Sequence, residues 1–584
     1  MKKRYIILPA LLIAGVVFLK PVSGKTKWYE KSLEDITRAI EIVENDAKRF
    51  AQRTATFLAS PFKKRIKRRQ FAIHGNPYKE TIAVVRRGGP ISEGEQKFID
   101  RRRKTASVAM NKFVGFKAGV DVGLSLSGGG NRSATYTIGA LLAMQKIGLL
   151  STVTWMTTLS GSGWTVWPWL VAGSTLQEHK ERLLASVTHG PSLRSIKHVK
   201  GVVDIILRDL AYGRLVNLAT IYAAGLGSIF FDGLGDYNDP QKVWMDKIQE
   251  NLNTGRFPFP IMTTLSVPDG RWFTVTPEEF GSASLSAFIP EWAGQRRFFG
   301  GASIGDIPYA DRVPVSRWMG DSALAPGASF GDLFVNIFAT MKEGPAKKVL
   351  RLLLHESPME RLRAIYSERF NPFRGIPDLP MYNKVEKKTW TDAKTIKLTD
   401  AGVFSGNPII PLLERAAISP IPMVILVVDA SSVIGYDELE KLKRYSDGEN
   451  PDGIKLPFPD LPADREQLST QPCTAFSNEK VLMLYLPMVK NEQLIEANKN
   501  NPALKDIVSQ LNWSLKERMA DSFNTFNLKF NRKKAEQLIN LAQFNILVSA
   551  EIIRTAISEF VLKYLDKVNP AYADKVRTQL GLPK

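Results

Sequence analysis

Two short stretches rich in glycine and serine constrain the fold more than any other feature of this sequence. Each stands where an apolar, strand-like run gives way to a helix-like pattern: residues 126–132 read LSGGGNR, and residues 158–164 read TLSGSGW. A strand that leads directly into a helix is the building unit of folds with parallel sheets. The two stretches therefore predict successive strand–turn–helix units.

The residue types at these turns are those that acyl transfer requires. Ser160 follows the strand-like run 153–158, as in the nucleophile elbow of serine hydrolases, although the strict G-x-S-x-G spelling is absent. Gly128, Gly129 and Gly130 allow the main chain to approach a substrate closely, because glycine has no side chain. Backbone N–H groups at such a loop can stabilise the oxyanion that forms when a serine attacks an ester. We therefore predict Ser160 as the nucleophile and the three glycines as the oxyanion hole.

The rest of the chain supports one fold class. Strand-like apolar runs at 260–265 and 423–428 alternate with helical patterns such as 133–150, 164–172 and 536–559. This alternation predicts an α/β fold, with a mainly parallel sheet and helices on both faces.

A third stretch, residues 398–402 (LTDAG), completes an ordered set. The three stretches together resemble the catalytic domain of the cytosolic phospholipase A2 and fungal phospholipase B (lysophospholipase) family. Members of that family carry a Ser-Gly-Gly-Gly-x-Arg loop, a Gly-Leu-Ser-Gly-Ser elbow and an Asp-Ala/Gly-Gly turn in this order. Further segments that resemble the family lie at residues 259–264, 272–281, 287–290, 424–431, 523–527 and 541–545. The resemblance thus extends from about Val120 to near the C-terminus.

The resemblance implies specific roles for residues of this chain. It pairs Ser160 with Asp400 in a Ser–Asp dyad, and it links Arg132 to the phosphate of the substrate. The alternative for Arg132 is a surface arginine of the following helix, paired with a carboxylate. Asp429 also ends an apolar strand, but Ala-Ser-Ser follows it, so we interpret it as a structural cap. The histidines, none of which lies in a recognisable turn motif, are His74, His179, His189, His198 and His355.

The sequence departs from the family pattern in two places. Thr158 stands where the family elbow has glycine, and a β-branched residue crowds a tight turn, so we expect a slightly different elbow. We expect no calcium-binding lipid module like that of the mammalian cytosolic enzymes, because a basic segment stands in its place. We therefore expect no metal and no other cofactor.

The N-terminus reads as a targeting segment. Lys2, Lys3 and Arg4 precede an apolar run at 5–19, which is short for a membrane-spanning helix and typical of a secretory signal. Residues 1–24 are therefore predicted to be either a cleaved signal peptide or a retained membrane anchor. Cys473 is the only cysteine, which excludes intrachain disulfides and cysteine-based zinc clusters.

Residues 25–117 form a basic segment with a helical pattern, and we place the catalytic domain at 118–584. The chain holds 79 Lys and Arg against 58 Asp and Glu, a formal net charge of +21. Basic clusters lie at 63–69, 86–87 and 101–104, and such clusters attract anionic lipid headgroups. We favour an anionic membrane as partner over a solvated basic face. A nucleic-acid partner is not expected, because no recognisable reading module is present.

The sequence thus predicts a serine acylhydrolase that cleaves fatty-acyl esters of glycerophospholipids or lysophospholipids through an acyl-enzyme. The protein would be membrane-associated, or exported through its N-terminal signal. One alternative is a lipid acyltransferase or general lipid esterase that uses the same dyad. Another is a catalytically inactive lipid-binding protein of the same fold.

Overall fold

The structure is a computed structural model. It describes residues 77–78, 80–189, 218–235, 239–304, 312–324, 366–515, 523–525, 527 and 529–582. The predicted targeting segment 1–24 and the basic cluster 63–69 lie outside the described residues. Within the described part of the chain, every helix is too short or too polar to cross a lipid bilayer.

Strands and helices alternate along parts of the described chain, as the sequence pattern indicates, while residues 259–304 and 367–399 each hold a run of strands. The strands are β1 (Arg86–Arg87), β2 (Asp121–Leu126), β3 (Trp155–Thr158), β4 (Phe259–Val267), β5 (Trp272–Val275), β6 (Glu279–Ser282), β7 (Ala287–Pro290), β8 (Arg297–Phe299), β9 (Ala302–Ile304), β10 (Ser367–Phe370), β11 (Met381–Asn383), β12 (Lys388–Thr389), β13 (Thr395–Thr399), β14 (Met423–Asp429), β15 (Thr474–Ser477) and β16 (Val481–Pro487). The helices are α1 (Glu93–Val114), α2 (Gly130–Lys146), α3 (Gly161–Ala172), α4 (Leu176–His189), α5 (Leu218–Phe230), α6 (Met245–Leu252), α7 (Val315–Ser322), α8 (Ile410–Ile418), α9 (Tyr436–Ser446), α10 (Gln467–Thr470), α11 (Glu492–Ala497), α12 (Lys505–Val508), α13 (Arg532–Val548), α14 (Ala550–Val568) and α15 (Pro570–Leu580).

A 12-stranded sheet forms the centre of the described structure, in the order β1-β7-β6-β5-β4-β3-β2-β14-β16-β15, with β13 paired to β4 and β10 to β13. Its middle strands β4, β3, β2, β14 and β16 run parallel. Every residue of these five strands is buried, because helices or loops cover both faces of a parallel sheet. Antiparallel strands extend the sheet at both ends. The predicted α/β fold class is confirmed.

Helices α1 and α8 are held on one face of the sheet by a buried carboxylate. Glu95 of α1 accepts hydrogen bonds from the Arg415 guanidinium of α8, at 2.6 and 2.9 Å, and from the indole Nε1 of Trp155 on β3, at 2.9 Å. Gly123 of β2 lies beside Trp155 in the parallel register, and a side chain there would press on Leu412 of α8. Helix α1 is therefore part of the same folded core as the sheet.

This placement of α1 corrects part of the basic-segment prediction. In the cluster at 101–104, Arg102 is buried and donates to backbone carbonyl oxygens, while Arg103 forms an ion pair of 2.6 Å with Asp121. Arg86 likewise pairs with a glutamate at the start of β6. These three arginines hold the core together, so they do not contribute to a free basic patch.

The predicted helix over 536–559 is two helices in the structure. Helix α13 ends at Val548, Ser549 forms the junction, and α14 begins at Ala550. The junction lets each helix pack on a different neighbour. Helix α13 packs closely on α2, where a side chain at Gly139 would overlap the carbonyl oxygen of Ile539. Helix α14 instead packs on α1, with Arg554 bonded to the end of that helix at 3.1 Å.

The two glycine- and serine-rich turns come together at one edge of the sheet. They follow β2 and β3, which are parallel neighbours with Leu126 opposite Thr158. Because the carboxyl ends of parallel strands share an edge, this is where α/β folds place their binding sites.

Candidate active site

Ser160 stands on a strained turn between β3 and α3. Its backbone has φ 51° and ψ −119°, a conformation that residues with a Cβ rarely adopt. Ser162 braces the turn: its hydroxyl accepts from the Leu159 amide at 3.0 Å and donates to the Leu126 carbonyl at 2.8 Å. Such strain persists only when the surrounding structure holds it in place. The turn thus raises the Ser160 side chain at the sheet edge, as a nucleophile elbow does.

Thr158 does not prevent this elbow from forming. It is the last residue of β3, and its hydroxyl accepts from the Trp167 indole at 3.0 Å, while its carbonyl oxygen accepts from Thr263 at 3.0 Å. The positive φ lies at Ser160, two residues further on. The β-branched side chain therefore occupies ordinary strand backbone rather than the turn.

Asp400 is brought to Ser160 by the strand order. It follows β13, which pairs with β4, and β4 pairs in turn with the strand that carries the serine. The carboxylate Oδ1 accepts the Gly402 amide at 2.8 Å, which fixes the side chain. The Ser160 side chain lies close enough to the same carboxylate to lower its pKa. The structure thus brings the two residues of the predicted dyad into contact.

Burial makes Asp400 a stronger base than an ordinary aspartate. The residue is only 3% exposed, and burial raises its pKa to about 6, against the opposing effect of the hydrogen bonds from Gly402 and Ser160. Desolvation disfavours the charged form of a carboxyl group. The carboxylate is therefore ionised at neutral pH and close to the pKa that suits a general base.

Asp400 gives the activity an expected pH dependence. A base must be ionised to accept the proton of Ser160, so kcat/KM should fall about tenfold per pH unit below about pH 6 and level off above it. The profile is best measured on a soluble, monomeric ester, since vesicle charge does not then change with pH. A profile that is flat from about pH 5 to pH 8 would contradict this role.

The same carboxylate should lower stability as it ionises. Its pKa is raised in the folded state, so the folded protein binds more protons than the unfolded chain between about pH 4 and pH 6, and stability falls as pH rises through this window. Asp400→Asn removes the charge while its amide oxygen can still accept from Gly402. The free energy of unfolding of the variant, measured by thermal unfolding, should rise relative to that of the wild type by up to about 3 kcal/mol between pH 4 and pH 8. A difference in the free energy of unfolding that does not change with pH would contradict the raised pKa.

The glycine loop lies directly against the Ser160 turn. A side chain at Gly161 would overlap the carbonyl oxygen of Gly130, and one at Gly128 would lie 3.4 Å from the Cβ of Ser160. Gly129 and Gly130 have φ of 141° and 59°, which only glycine adopts without strain. The glycines are thus required by both the backbone conformation and the close approach of the two turns.

The three predicted oxyanion donors are not equivalent. The Gly128 amide donates to the Gly406 carbonyl oxygen at 2.8 Å, so the prediction for Gly128 is corrected: this amide anchors the loop. The amides of Gly129 and Gly130 have no acceptor within the described part of the chain, and Gly130 begins helix α2. The same is true of the amide of Gly161, which begins α3. Helix N-termini carry a partial positive charge, so both loops present polarised N–H groups beside the serine.

Two further groups at the site are not among the residues predicted from the sequence. Gly406 anchors Gly128 and is itself held by the buried carboxylate of Glu438, which accepts the Gly406 amide. Burial raises the pKa of Tyr222 of α5, and the nearby Asp400 carboxylate adds to this shift. No local sequence pattern marks either group, because each depends on a contact between distant segments.

Arg132 is buried rather than on the helix surface. It is 1% exposed, and its Nε and Nη1 donate to the carbonyl oxygens of Ala430 and Phe523 at 2.8 and 2.9 Å. Its Nη2 has no hydrogen-bond partner within the described residues and lies beside Gly129. Burial lowers the pKa of Arg132 to about 10, against the opposing effect of Asp429, so it keeps its charge at neutral pH. The guanidinium thus braces the glycine loop and leaves one nitrogen toward it.

Asp429 has the contacts of a structural cap. It is fully buried and accepts from the Tyr485 hydroxyl at 2.5 Å, the Asn407 amide at 2.9 Å and the Ser431 backbone at 2.8 Å. Among the histidines, His179 lies in α4, where burial lowers its pKa to about 3. His74, His198, His355 and the side chain of His189 lie outside the described residues. No group of three or more metal-ligating side chains is found in the described part of the chain.

The chain is similar to known proteins over most of its length. A family model described as the lysophospholipase catalytic domain matches residues 122–437. Human cytosolic phospholipase A2 zeta is 22% identical over 550 aligned residues, which cover 81% of this chain and 61% of that protein. Human cytosolic phospholipase A2 beta is 21% identical over 544 residues, which cover 82% and 67%. The chain therefore matches less than two thirds of the length of the zeta relative.

The fold is similar to that of a solved structure, human GIVD cytosolic phospholipase A2. The TM-score is 0.64 at 17% sequence identity, and the match covers 82% of this chain and 68% of that one. The same protein in complex with the inhibitor methyl gamma-linolenyl fluorophosphonate and terbium chloride matches with a TM-score of 0.59 at 16% identity, over 82% and 66% of the two chains. Likeness at this level of identity establishes the shared fold.

Proposed function

Because the chain belongs to the lysophospholipase catalytic domain family, we propose that it is a serine acylhydrolase acting on glycerophospholipids or lysophospholipids. The observation that carries this proposal is the buried Asp400 carboxylate close to the Ser160 side chain, next to the Gly129 and Gly130 amides, which have no acceptor within the described residues. These are the nucleophile, the base and the oxyanion donors that ester cleavage requires. We keep residues 118–584 as the catalytic region, with α1 packed into the same core.

The acylation step follows from these positions. The Ser160 oxygen attacks the carbonyl carbon of the ester while its proton passes to Asp400. The oxyanion that forms accepts hydrogen bonds from Gly129 and Gly130, at the positive end of α2. When the tetrahedral intermediate collapses, the C–O bond of the ester breaks, and Asp400 returns the proton to the departing alcohol. The product of this half-reaction is an acyl-enzyme on Ser160 and a free lysophospholipid or glycerophosphodiester.

Deacylation reverses the roles of the same groups. Water attacks the acyl carbonyl, Asp400 accepts a proton from it, and the proton is returned to the Ser160 oxygen as the fatty acid leaves. An alcohol in place of water would make the protein an acyltransferase, the alternative that shares every residue of the site. The inactive lipid-binding alternative is disfavoured, because an inactive protein has no need of a strained serine close to a buried carboxylate.

The function can be tested on purified full-length protein. It is incubated with a mixture of phospholipids and lysophospholipids, and the products are identified by mass spectrometry. Release of fatty acid together with the matching deacylated lipid supports the hydrolase, and transfer of the acyl chain to an added alcohol supports the acyltransferase. Absence of any acyl cleavage on all substrates would contradict the proposed function.

Arg132 is proposed to contact the substrate phosphate through Nη2, with the guanidinium held in place by Ala430 and Phe523. The planar, charged group suits a phosphate, which a lysine matches less well. Arg132→Lys should therefore lower kcat/KM for a phospholipid about tenfold more than for the diacylglycerol with the same acyl chains. Both substrates are presented in the same mixed micelles. An equal loss on the two substrates would show that Arg132 acts only as a brace.

We propose that an anionic membrane surface is the partner of the basic segment 25–117. Arg86, Arg102 and Arg103 are not part of this interaction, because they hold the folded core together. We also propose that residues 1–24 act as a signal peptide or a retained anchor, which makes the protein exported or membrane-associated.

A further inference from the structure

Four large apolar side chains are exposed together near the β8–β9 hairpin. Ile82 is 62% exposed, Val84 60%, Phe299 55% and Ile304 47%. Large apolar side chains scattered singly over a surface are ordinary, whereas a contiguous group of them marks an interaction site. We call these four side chains the apolar edge face.

The strand register shows that the four side chains are contiguous. Ala302 of β9 pairs with Phe299 of β8 on one side and with Val84 on the other. Two residues further along the same antiparallel register, Ile82 comes opposite Ile304. Residues directly opposite or two apart on neighbouring strands point to the same face. The apolar edge face is therefore one surface across three strands.

The side chains on the opposite face of these three strands are buried, and this fixes the apolar edge face on the outside. Ala83, Val85, Phe298 and Ser303, which alternate with the exposed residues, are all buried. The Ala83 amide donates to the Ser303 hydroxyl at 2.9 Å, and the Ser303 amide donates to the Ala83 carbonyl at 2.8 Å. Because side chains alternate strictly along a strand, the apolar edge face cannot turn inward without exposing this inner set.

Two arginines border the apolar edge face without a carboxylate partner. The Arg374 guanidinium lies 5.6 Å from the centre of the Phe299 ring, and that of Arg297 lies 4.8 Å from the centre of the Phe370 ring. Neither forms an ion pair within the described residues. Arg86, in contrast, is neutralised by Glu279 at 2.7 Å. Surfaces that lie in a lipid interface typically combine apolar side chains with arginines that have no carboxylate partner.

We propose that the apolar edge face docks on an anionic lipid bilayer, with its four apolar side chains at the acyl boundary and Arg297 and Arg374 on lipid phosphates. Charge complementarity selects this partner, since the two arginines are uncompensated and the whole chain carries a formal net charge of +21. The choice of lipid also rests on the proposed function, because an enzyme that cleaves phospholipids must reach them in a bilayer. This surface is separate from the basic cluster at 63–69.

A fluorescent probe can report contact with lipid at a single residue. Cys473 is buried, and burial raises the pKa of its thiol to about 12, so an introduced exposed cysteine can be labelled selectively. Phe299→Cys places an environment-sensitive dye on the apolar edge face. Val568→Cys places the same dye on α14, at a position of similar exposure, 57%. With phosphatidylglycerol vesicles, the emission should shift to the blue for Phe299→Cys and stay unchanged for Val568→Cys.

Other outcomes of the probe experiment would overturn the proposal. Equal shifts at both positions would show non-specific adsorption. A blue-shifted emission from Phe299→Cys before vesicles are added would show that another part of the protein, or a second copy, covers the face. The absence of a shift with anionic vesicles would exclude the bilayer as its partner.

The arginines are tested by charge removal with a matched control. Arg297→Gln/Arg374→Gln should weaken binding to phosphatidylglycerol vesicles about 10- to 30-fold, because each basic side chain near an anionic surface adds to the attraction. Lys533→Gln/Lys563→Gln removes the same charge from exposed positions on α13 and α14 and should weaken binding less than threefold. Equal losses of vesicle affinity in the two double variants would show that only the net charge of the protein matters, and would overturn the proposal.

Turnover of a soluble, monomeric ester separates this proposal from the proposed function. The Arg297→Gln/Arg374→Gln variant should keep the wild-type rate on that ester, since its changes lie outside the catalytic site; a matching loss there would mean damage to the fold and overturn the docking interpretation. If the wild type cleaves neither the ester nor phospholipids, the proposed function fails. The probe shift at position 299 would then still establish the docking surface.

Discussion

Replacing Ser160 with alanine should lower the turnover of phospholipids by about 10⁴-fold or more, because the nucleophile acts as a unit with its base. The structure offers no substitute at the elbow, since Ser162 is engaged with Leu126 and Leu159 inside the turn. Turnover is measured as fatty acid released, and a melting curve checks that the variant is folded. Wild-type turnover in Ser160→Ala would contradict the assignment of the nucleophile.

The backbone strain at Ser160 gives this prediction an independent readout. Glycine adopts the φ of 51° found there without the cost that a Cβ imposes. Ser160→Gly should therefore be as inactive as Ser160→Ala but more stable, by about 1 kcal/mol. The difference is measured by denaturant unfolding of both variants. Equal stabilities would show that the turn is unstrained and that the elbow geometry described for Ser160 is wrong.

Gly161→Ala should have the second largest effect, a loss of about 10²- to 10³-fold in kcat. The added methyl group would overlap the Gly130 carbonyl oxygen, so the glycine loop and the serine turn would have to move apart. The oxyanion donors at Gly129 and Gly130 would then no longer face the carbonyl that Ser160 attacks. KM should change much less than kcat, because the donors act mainly in the transition state.

Gly163→Ala is the matched control for this change. Gly163 lies in the same helix two residues further on, and a methyl group there would meet only ordinary contacts at 3.7 and 3.8 Å. The variant should keep at least half of the wild-type kcat and gain stability, since alanine favours a helix over glycine by about 1 kcal/mol. If Gly161→Ala is as active as Gly163→Ala, the close approach of the two turns is not needed for catalysis.

Local sequence patterns were sufficient to predict the two turns and the strands before them. The apolar run before Ser160 and the glycines after Leu126 mark strand ends and helix starts directly, because these depend on neighbouring residues. The same holds for β14, where an unbroken apolar run predicts a strand buried on both faces. The helix break at Ser549 was not predictable, since the residues on both sides favour a helix and only packing separates α13 from α14.

Contacts between distant segments could not be derived from local patterns. The pairing of Ser160 with Asp400 came from the family resemblance, and the strand order now gives it a physical basis. The link from Glu438 through Gly406 to Gly128 joins three separate segments by backbone and side-chain bonds. Arg132 is another such case, because its partners lie some 300 to 400 residues away along the chain. Basic clusters were misleading for the same reason, since tertiary structure decides which arginines are buried.

Covalent trapping of Ser160 tests the central claim most directly. A fluorophosphonate that carries a fatty-acyl-like chain should form a bond between phosphorus and the Ser160 oxygen with loss of fluoride, at a rate that depends on Asp400 as base. Peptide mass spectrometry should find the adduct on Ser160 in the wild type. Labelling should be absent in Ser160→Ala and slowed by about 10²-fold or more in Asp400→Asn. An adduct on another residue, formed as fast in Ser160→Ala as in the wild type, would contradict the claim that Ser160 and Asp400 are the catalytic dyad.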